Sequence, residues 1–187
     1  MRNTTRLKLS CLLLLPLIPL LARGEMQDEW VQFLTHPRGD RYQVLSQRLR
    51  DCNDTGCAHQ VKPNSQDVVR LLRLVQRGDP NAVELAFLSL RFLDGGDLED
   101  VFRSLGSLTE THPRLFLKEV SQHRVTQAKY ESLLTMLPLS TVDNEAKKRR
   151  LIERRIRSLA GVKDKPLAVA RDEAIAILDH FLSELAP

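Results

Sequence analysis

The chain has 187 residues, of which 42% are hydrophobic, and it carries 28 basic and 24 acidic side chains. This length and composition suit one globular domain with a substantial core. Four of the basic residues and none of the acidic ones lie in the first 24 positions, so the remainder holds 24 of each and has no net charge. A neutral remainder argues against a nucleic-acid partner held by overall positive charge.

The first 24 residues have the pattern of a secretory signal peptide. A basic start precedes an apolar run over residues 11–21, and Ala22 and Gly24 supply the small residues before a predicted cut at Glu25. The run is shorter than the roughly 20 residues that span a bilayer, so we expect cleavage and no transmembrane anchor afterwards. The mature chain, residues 25–187, is therefore predicted to be secreted or periplasmic.

Helical periodicity covers nearly all of the mature chain, and no run has the alternation of a β-strand. The predicted helices cover residues 25–35, 40–51, 65–77, 80–94, 97–110, 113–123, 126–137, 142–161 and 166–185. Their short connections favour antiparallel neighbours. We predict an all-α fold of stacked antiparallel helical hairpins, either a short α-solenoid or an orthogonal bundle.

We expect a single domain with three parts. Residues 25–64 hold the first helices and a cysteine loop, residues 65–123 hold two helical hairpins, and residues 124–187 hold the C-terminal helices. The predicted helix 80–94 is apolar around most of its circumference, as is usual for a helix in the middle of a protein. At least two of Leu85, Phe87 and Leu88 should therefore be buried.

The cysteine loop contains Cys52 and Cys57, the two cysteines of the predicted mature chain. An even number of cysteines in an oxidising compartment predicts a disulfide. Zinc binding by Cys52, Cys57 and His59 is an alternative, although the spacing lacks a clear fourth ligand. A calcium loop starting at Asp51 is another, with lysine where the twelfth position requires glutamate. Residues 53–55 also form a glycosylation sequon.

Residues 67–80 align with residues 100–113 at a constant offset of 33, with identical residues at 67/100, 68/101, 70/103, 72/105 and 80/113. Each copy reads as a helix, a turn that ends in proline, and a second helix. In the first copy, Gly78 is expected to end one helix while Asp79 caps the next and Pro80 occupies its first position.

This arrangement resembles HEAT- or armadillo-like α-solenoids over about residues 65–123. The resemblance implies stacked hairpins that bury each other's apolar faces, and a scaffold that binds protein. It identifies no ligand and carries over no site residue.

Basic side chains are concentrated in the predicted helix 142–161. On a helix, Lys147, Arg150, Arg154 and Arg157 fall on one face, opposite an apolar stripe. Such a face suits contact with an anionic surface: phosphorylated lipid, acidic polysaccharide or an acidic protein. The alternative is a solvated face whose charge is balanced by acidic residues elsewhere.

No nucleophile elbow, paired-histidine zinc motif or glycine-rich phosphate loop occurs in the sequence. We therefore predict an exported, non-enzymatic scaffold or protein-binding domain with no cofactor. Two alternatives stay open. One is a small envelope hydrolase, metal-assisted through residues 51–59. The other is a peripheral binder of anionic envelope surfaces through residues 147–157.

Overall fold

The computed structural model describes residues 29–123 and 125–185, and all regular structure in these residues is helical. The all-α prediction is confirmed. The elements in chain order are α1 (residues 29–35), α2 (Arg41–Asp51), α3 (Thr55–Val61), α4 (Ser65–Gln76), α5 (Pro80–Ser89), α6 (Gly95–Thr111), α7 (Pro113–Gln122), α8 (Gln127–Thr135), a 3-10 turn (Leu139–Thr141), α9 (Glu145–Ala160), a second 3-10 turn (Lys165–Leu167) and α10 (Ala168–Glu184).

The predicted signal peptide lies outside the described residues. Among the helices that are described, none combines the length and the apolar character needed to cross a bilayer.

Helix α5 lies at the centre of the core and packs against α2, α4, α6 and α7. Its start follows the predicted turn chemistry. Gly78 has φ of 72°, the Asp79 side chain accepts a hydrogen bond from the Ala82 amide at 3.0 Å, and Pro80 is the first helical residue. Leu85, Phe87 and Leu88 are all buried, which confirms the expectation for this helix.

The end of α5 differs from the prediction, because the helix stops at Ser89 and not at residue 94. The backbone tightens there: the Leu90 amide bonds the Phe87 carbonyl at 3.3 Å, and the Phe92 amide bonds the Ser89 carbonyl at 2.9 Å. These i to i+3 bonds are typical of a terminating turn. The Leu90 carbonyl is left free to accept a hydrogen bond from elsewhere in the fold.

Helix α3 was missed, because the sequence of residues 51–59 indicates a loop. Asp54 begins α3 by accepting a hydrogen bond from the Cys57 amide at 2.8 Å. The helix is only seven residues long. Its stability depends on tertiary contacts, one of which is the hydrogen bond from the buried Trp30 indole to the Val61 carbonyl at 3.0 Å.

Helix α9 begins at Glu145, three residues later than predicted, because the 3-10 turn and Asn144 precede it. The Asn144 side chain caps the helix by accepting from the Lys147 amide at 2.8 Å. The helix packs against α6, α7 and α10, with Ile152 and Leu159 fully buried. One face of α9 is therefore fixed against the core, and the opposite face is turned outward.

The two tyrosines of the chain both have raised pKa values in the fold. Burial and a hydrogen bond to Glu84 raise the pKa of Tyr42 to about 12. Burial also raises the pKa of Tyr130, whose hydroxyl donates to the Ala170 carbonyl at 3.0 Å. The fold therefore favours the neutral phenols. The stability that these phenols contribute is fully present below about pH 10, the usual pKa of tyrosine in an unfolded chain. It is lost as the pH rises through the higher pKa values of the folded state.

We expect the native protein to develop little tyrosinate absorbance near pH 10. In a spectrophotometric titration, the signal should appear only at about pH 12 or above, or together with unfolding. The control is the same chain unfolded in concentrated urea, in which both tyrosines should titrate at about pH 10. A native titration that coincides with the urea titration would contradict these environments for Tyr42 and Tyr130.

Candidate functional site

The four cations predicted to share a face of α9 line a single surface groove of about 500 Å³, here called the basic groove. Its lining residues are Pro138, Ser140, Thr141, Lys147, Arg150, Leu151, Arg154 and Arg157. One wall is the outward face of α9, and the other is the 3-10 turn with the proline before it. None of these lining residues is acidic, so the groove carries a local excess of positive charge.

Hydrogen bonds connect the two walls of the basic groove. The Lys147 ammonium donates to the carbonyl and the hydroxyl of Ser140, at 3.1 and 3.3 Å. The Thr141 hydroxyl, itself buried, donates to the Pro138 carbonyl at 2.6 Å. The Lys147 bonds hold the turn against the first part of α9, and the Thr141 bond closes the turn itself.

The charges of the groove are only partly balanced by neighbouring carboxylates. Arg154 pairs with Glu110 at 2.6 Å, and Arg157 lies 4.0 Å from Glu153. Lys147 bonds only neutral oxygen atoms in the described part of the chain. Within residues 29–123 and 125–185, the Arg150 side chain makes neither a hydrogen bond nor an ion pair. A solvated face balanced by acids therefore accounts for Arg154 and Arg157, but not for Lys147 and Arg150.

Arg155 differs from the four groove cations of α9 because its side chain is fully buried, with 0% exposure. Its Nε lies 3.3 Å from Glu110 Oε1, and its Nη1 donates to the Leu134 carbonyl at 2.6 Å. Burial lowers the pKa of Arg155, and the Glu110 carboxylate opposes that shift. Glu110 thus forms ion pairs with the exposed Arg154 and with the buried Arg155, and these pairs fix α9 to α6.

A close approach of α6 to α8 accommodates the buried guanidinium. A Cβ atom at Gly106 would lie 2.3 Å from the Leu133 carbonyl oxygen and 3.3 Å from Arg155 Nη1. The first distance is far too short for a Cβ against backbone, whereas the second is only a tight contact, so the Leu133 carbonyl is what makes glycine necessary at this crossing. The basic groove therefore stands on a buried support made by α6, α8 and Arg155.

Two apolar side chains are exposed beside the groove. Leu139 is 67% exposed and belongs to the 3-10 turn of the second wall, and Val142, which is 53% exposed, directly follows that turn. Exposed apolar residues next to a concentration of one charge are a common feature of interaction surfaces. The groove thus has a charged wall, and two exposed apolar residues lie close to the other wall in sequence.

No family model, curated protein or solved structure matches this chain. The likeness of residues 65–123 to HEAT- and armadillo-like solenoids therefore stays a prediction.

The structure places the predicted cysteine pair at disulfide distance, with the Cα atoms of Cys52 and Cys57 separated by 5.6 Å. A disulfide between them would leave no thiolate, which is the form that binds zinc. His59 is exposed on α3. No group of three histidine, cysteine or acidic residues in the described ranges is placed to hold a metal ion. No contact in this segment supports the hydrolase alternative.

The calcium interpretation of the same segment is wrong. Asp51 is the last residue of α2, and α3 begins at Thr55, inside the twelve residues that such a loop requires. The Asp51 carboxylate instead accepts from the Gln47 amide at 2.9 Å. Asn53 is exposed, and its side-chain amide donates to the Asp51 carbonyl at 3.0 Å.

A second surface depression, of about 590 Å³, lies between the start of α7 and the second 3-10 turn. Its charged residues are internally paired. Arg114 lies 2.8 Å from Asp164, and Lys118 lies 3.4 Å from the buried Glu119. Because these charges are satisfied within the fold, the depression offers less specific chemistry than the basic groove.

Proposed function

We propose that the chain is an exported, non-enzymatic helical binding domain, and that the basic groove docks an acidic segment of a protein partner. The observation that carries this proposal is the groove itself: four cations line it, no acidic residue does, and Arg150 has no partner in the described part of the chain. Such charge complementarity increases the rate of encounter and selects acidic partners.

The shape of the groove supports a protein segment as the occupant. A concave site of about 500 Å³ between a helix and a turn admits a narrow strip of chain. Leu151, which is 8% exposed, lines the groove, and the exposed Leu139 belongs to the turn that forms the second wall. A partner segment with acidic and apolar residues matches both features.

The scaffold role is supported by the packing of α4 to α7. Helix α4 contacts both α5 and α6, and α7 contacts both α5 and α6. Gly78, in the turn of the first hairpin, lies against His112 in the turn of the second, where a Cβ would approach Nε2 to 2.4 Å. These contacts are those expected of two stacked hairpins. The exported location rests on residues 1–24 and on the cysteine pair.

Arg150→Glu should weaken binding of an acidic peptide by at least about tenfold, because it replaces an unpartnered cation with a repelling charge. The probe is a fluorescently labelled oligoglutamate peptide, measured by anisotropy with the full chain at low and moderate salt. Binding to the wild type should weaken as salt screens the charges.

Arg73→Glu on α4 is the matched control, since Arg73 is exposed and its replacement makes the same change in net charge. The control should bind the peptide as the wild type does. Equal losses for the two variants would show that net charge alone acts. Wild-type binding that does not depend on salt would also contradict the proposal.

Contact with an anionic lipid surface is the second candidate function, favoured by the exposure of Leu139 and Val142 beside the cations. Apolar side chains that insert among headgroups, next to cations that attract them, are typical of peripheral membrane contact. Co-sedimentation with phosphatidylserine vesicles separates the candidates. Sedimentation with vesicles without binding of the peptide supports the lipid surface. Binding of the peptide without sedimentation supports the acidic protein segment.

A further inference from the structure

A separate pocket of about 270 Å³, here called the α5–α8 pocket, lies where the end of α5 meets the start of α8. It shares no lining residue with the basic groove. The two sites are therefore separate parts of the surface.

The floor of the α5–α8 pocket is apolar and belongs to the buried core. Phe87, Leu88 and Leu90 line it, and all three are buried in the core. The His123 ring stacks on Phe87 with centroids 5.7 Å apart and planes 11° from parallel. A contact of 3.2 Å from His123 Nε2 to the buried Glu119 carboxylate fixes that ring. Well-packed apolar groups of this kind favour an apolar ligand surface.

The rim of the pocket carries cations. The Lys129 ammonium donates to the Leu90 carbonyl at 2.7 Å, using the oxygen that the early end of α5 leaves free. The Arg91 guanidinium lies 4.6 Å from the Phe92 ring centre and donates to the Arg50 carbonyl at 3.2 Å. Partial burial lowers the pKa of both Lys129 and Arg91.

These two cations lack an anionic partner within the described residues. Arg50, which also lines the pocket, pairs with Glu84. Lys129 and Arg91 pair with no carboxylate in residues 29–123 and 125–185, and none of the described lining residues is acidic. Lys129 is half-buried without a counter-charge, which is unfavourable, and Arg91 is an exposed cation beside it, so an anion entering here would find its charge complemented.

We propose that the α5–α8 pocket binds a small organic anion that has one acidic headgroup and an apolar body, the class to which medium-chain carboxylates belong. The headgroup lies at the rim with Lys129 and Arg91. The apolar body covers the floor formed by Phe87, Leu88 and Leu90. The size of the pocket favours a small molecule over a polymer, and the apolar floor favours an amphiphile over an inorganic anion.

Calorimetric titration of the full chain with octanoate, and separately with octanol, tests this proposal. Octanoate should bind saturably and at least about tenfold more tightly than octanol, because the two ligands differ in the charged headgroup. In nuclear magnetic resonance spectra, octanoate should shift the amide signals of Leu90, Val125 and Thr126, which report on the pocket.

Lys129→Gln keeps a donor for the Leu90 carbonyl but removes the charge, so it should fold and lose about tenfold in octanoate affinity. Arg91→Gln should act in the same direction. Arg73→Gln is the control with the same loss of charge, and it should bind as the wild type does. Octanol binding as tight as octanoate, undiminished affinity in Lys129→Gln, amide shifts outside the pocket, or no saturable binding would each overturn the proposal.

Discussion

Phe87→Ala is expected to lower the free energy of unfolding by about 3–5 kcal/mol. The side chain is 4% exposed and lies on the central helix α5. Its ring contacts Phe116 on α7 at a centroid distance of 6.1 Å and also stacks with His123. Truncation removes these contacts and leaves a cavity. A whole domain is typically stable by about 5–15 kcal/mol, so the loss is a large fraction of the total.

Urea titration followed by circular dichroism measures this effect. Val69→Ala is the control, because Val69 lies on the exposed side of α4. It should change the free energy of unfolding by no more than about 0.5 kcal/mol. If Phe87→Ala unfolded at the wild-type midpoint, α5 would not be the centre of the core.

Arg155→Ala should also cost about 3–5 kcal/mol, although Arg155 belongs to a run of basic residues that is otherwise largely exposed. The truncation leaves the Leu134 carbonyl without its donor and removes one of the two cations that face Glu110. It also empties the space between α6, α8 and α9. Overall stability, again measured by urea titration, should therefore fall steeply.

Arg154→Ala is the matched control on the neighbouring residue. Arg154 pairs with the same Glu110 carboxylate, but its side chain is 61% exposed. Solvent-exposed ion pairs contribute about 0–1 kcal/mol, so the loss of stability should stay within that range. Similar losses for the two variants would mean that Arg155 is not the interior partner of Glu110.

The sequence predicts most helices correctly because their boundaries depend on local chemistry. The turn between α4 and α5 is an example: Gly78 supplies a positive φ, Asp79 caps and Pro80 begins the next helix. The face shared by Lys147, Arg150, Arg154 and Arg157 is likewise a property of helical spacing. The structure lines one groove with all four of these residues.

The features that the sequence does not predict depend on contacts between distant segments. Arg155 lies three residues after Ile152 and four before Leu159, so its position on the apolar stripe was a usable signal. No sequence signal pointed to its ion-pair partner, because Glu110 is 45 residues away in the chain.

The α5–α8 pocket could not be predicted for the same reason. The hydrogen bond from Lys129 to the Leu90 carbonyl joins residues 39 positions apart. It also depends on α5 ending at Ser89, which the helical pattern of residues 80–94 does not indicate.

The most direct test of the central claim is to map an acidic peptide onto the protein. We expect oligoglutamate, titrated into the isotope-labelled full chain, to shift the amide signals of residues 139–142 and of Lys147, Arg150 and Arg154 on α9. Signals from α4 and α5 should stay in place. Shifts spread evenly over all exposed basic residues, or concentrated away from α9, would contradict the assignment of the basic groove as the docking site.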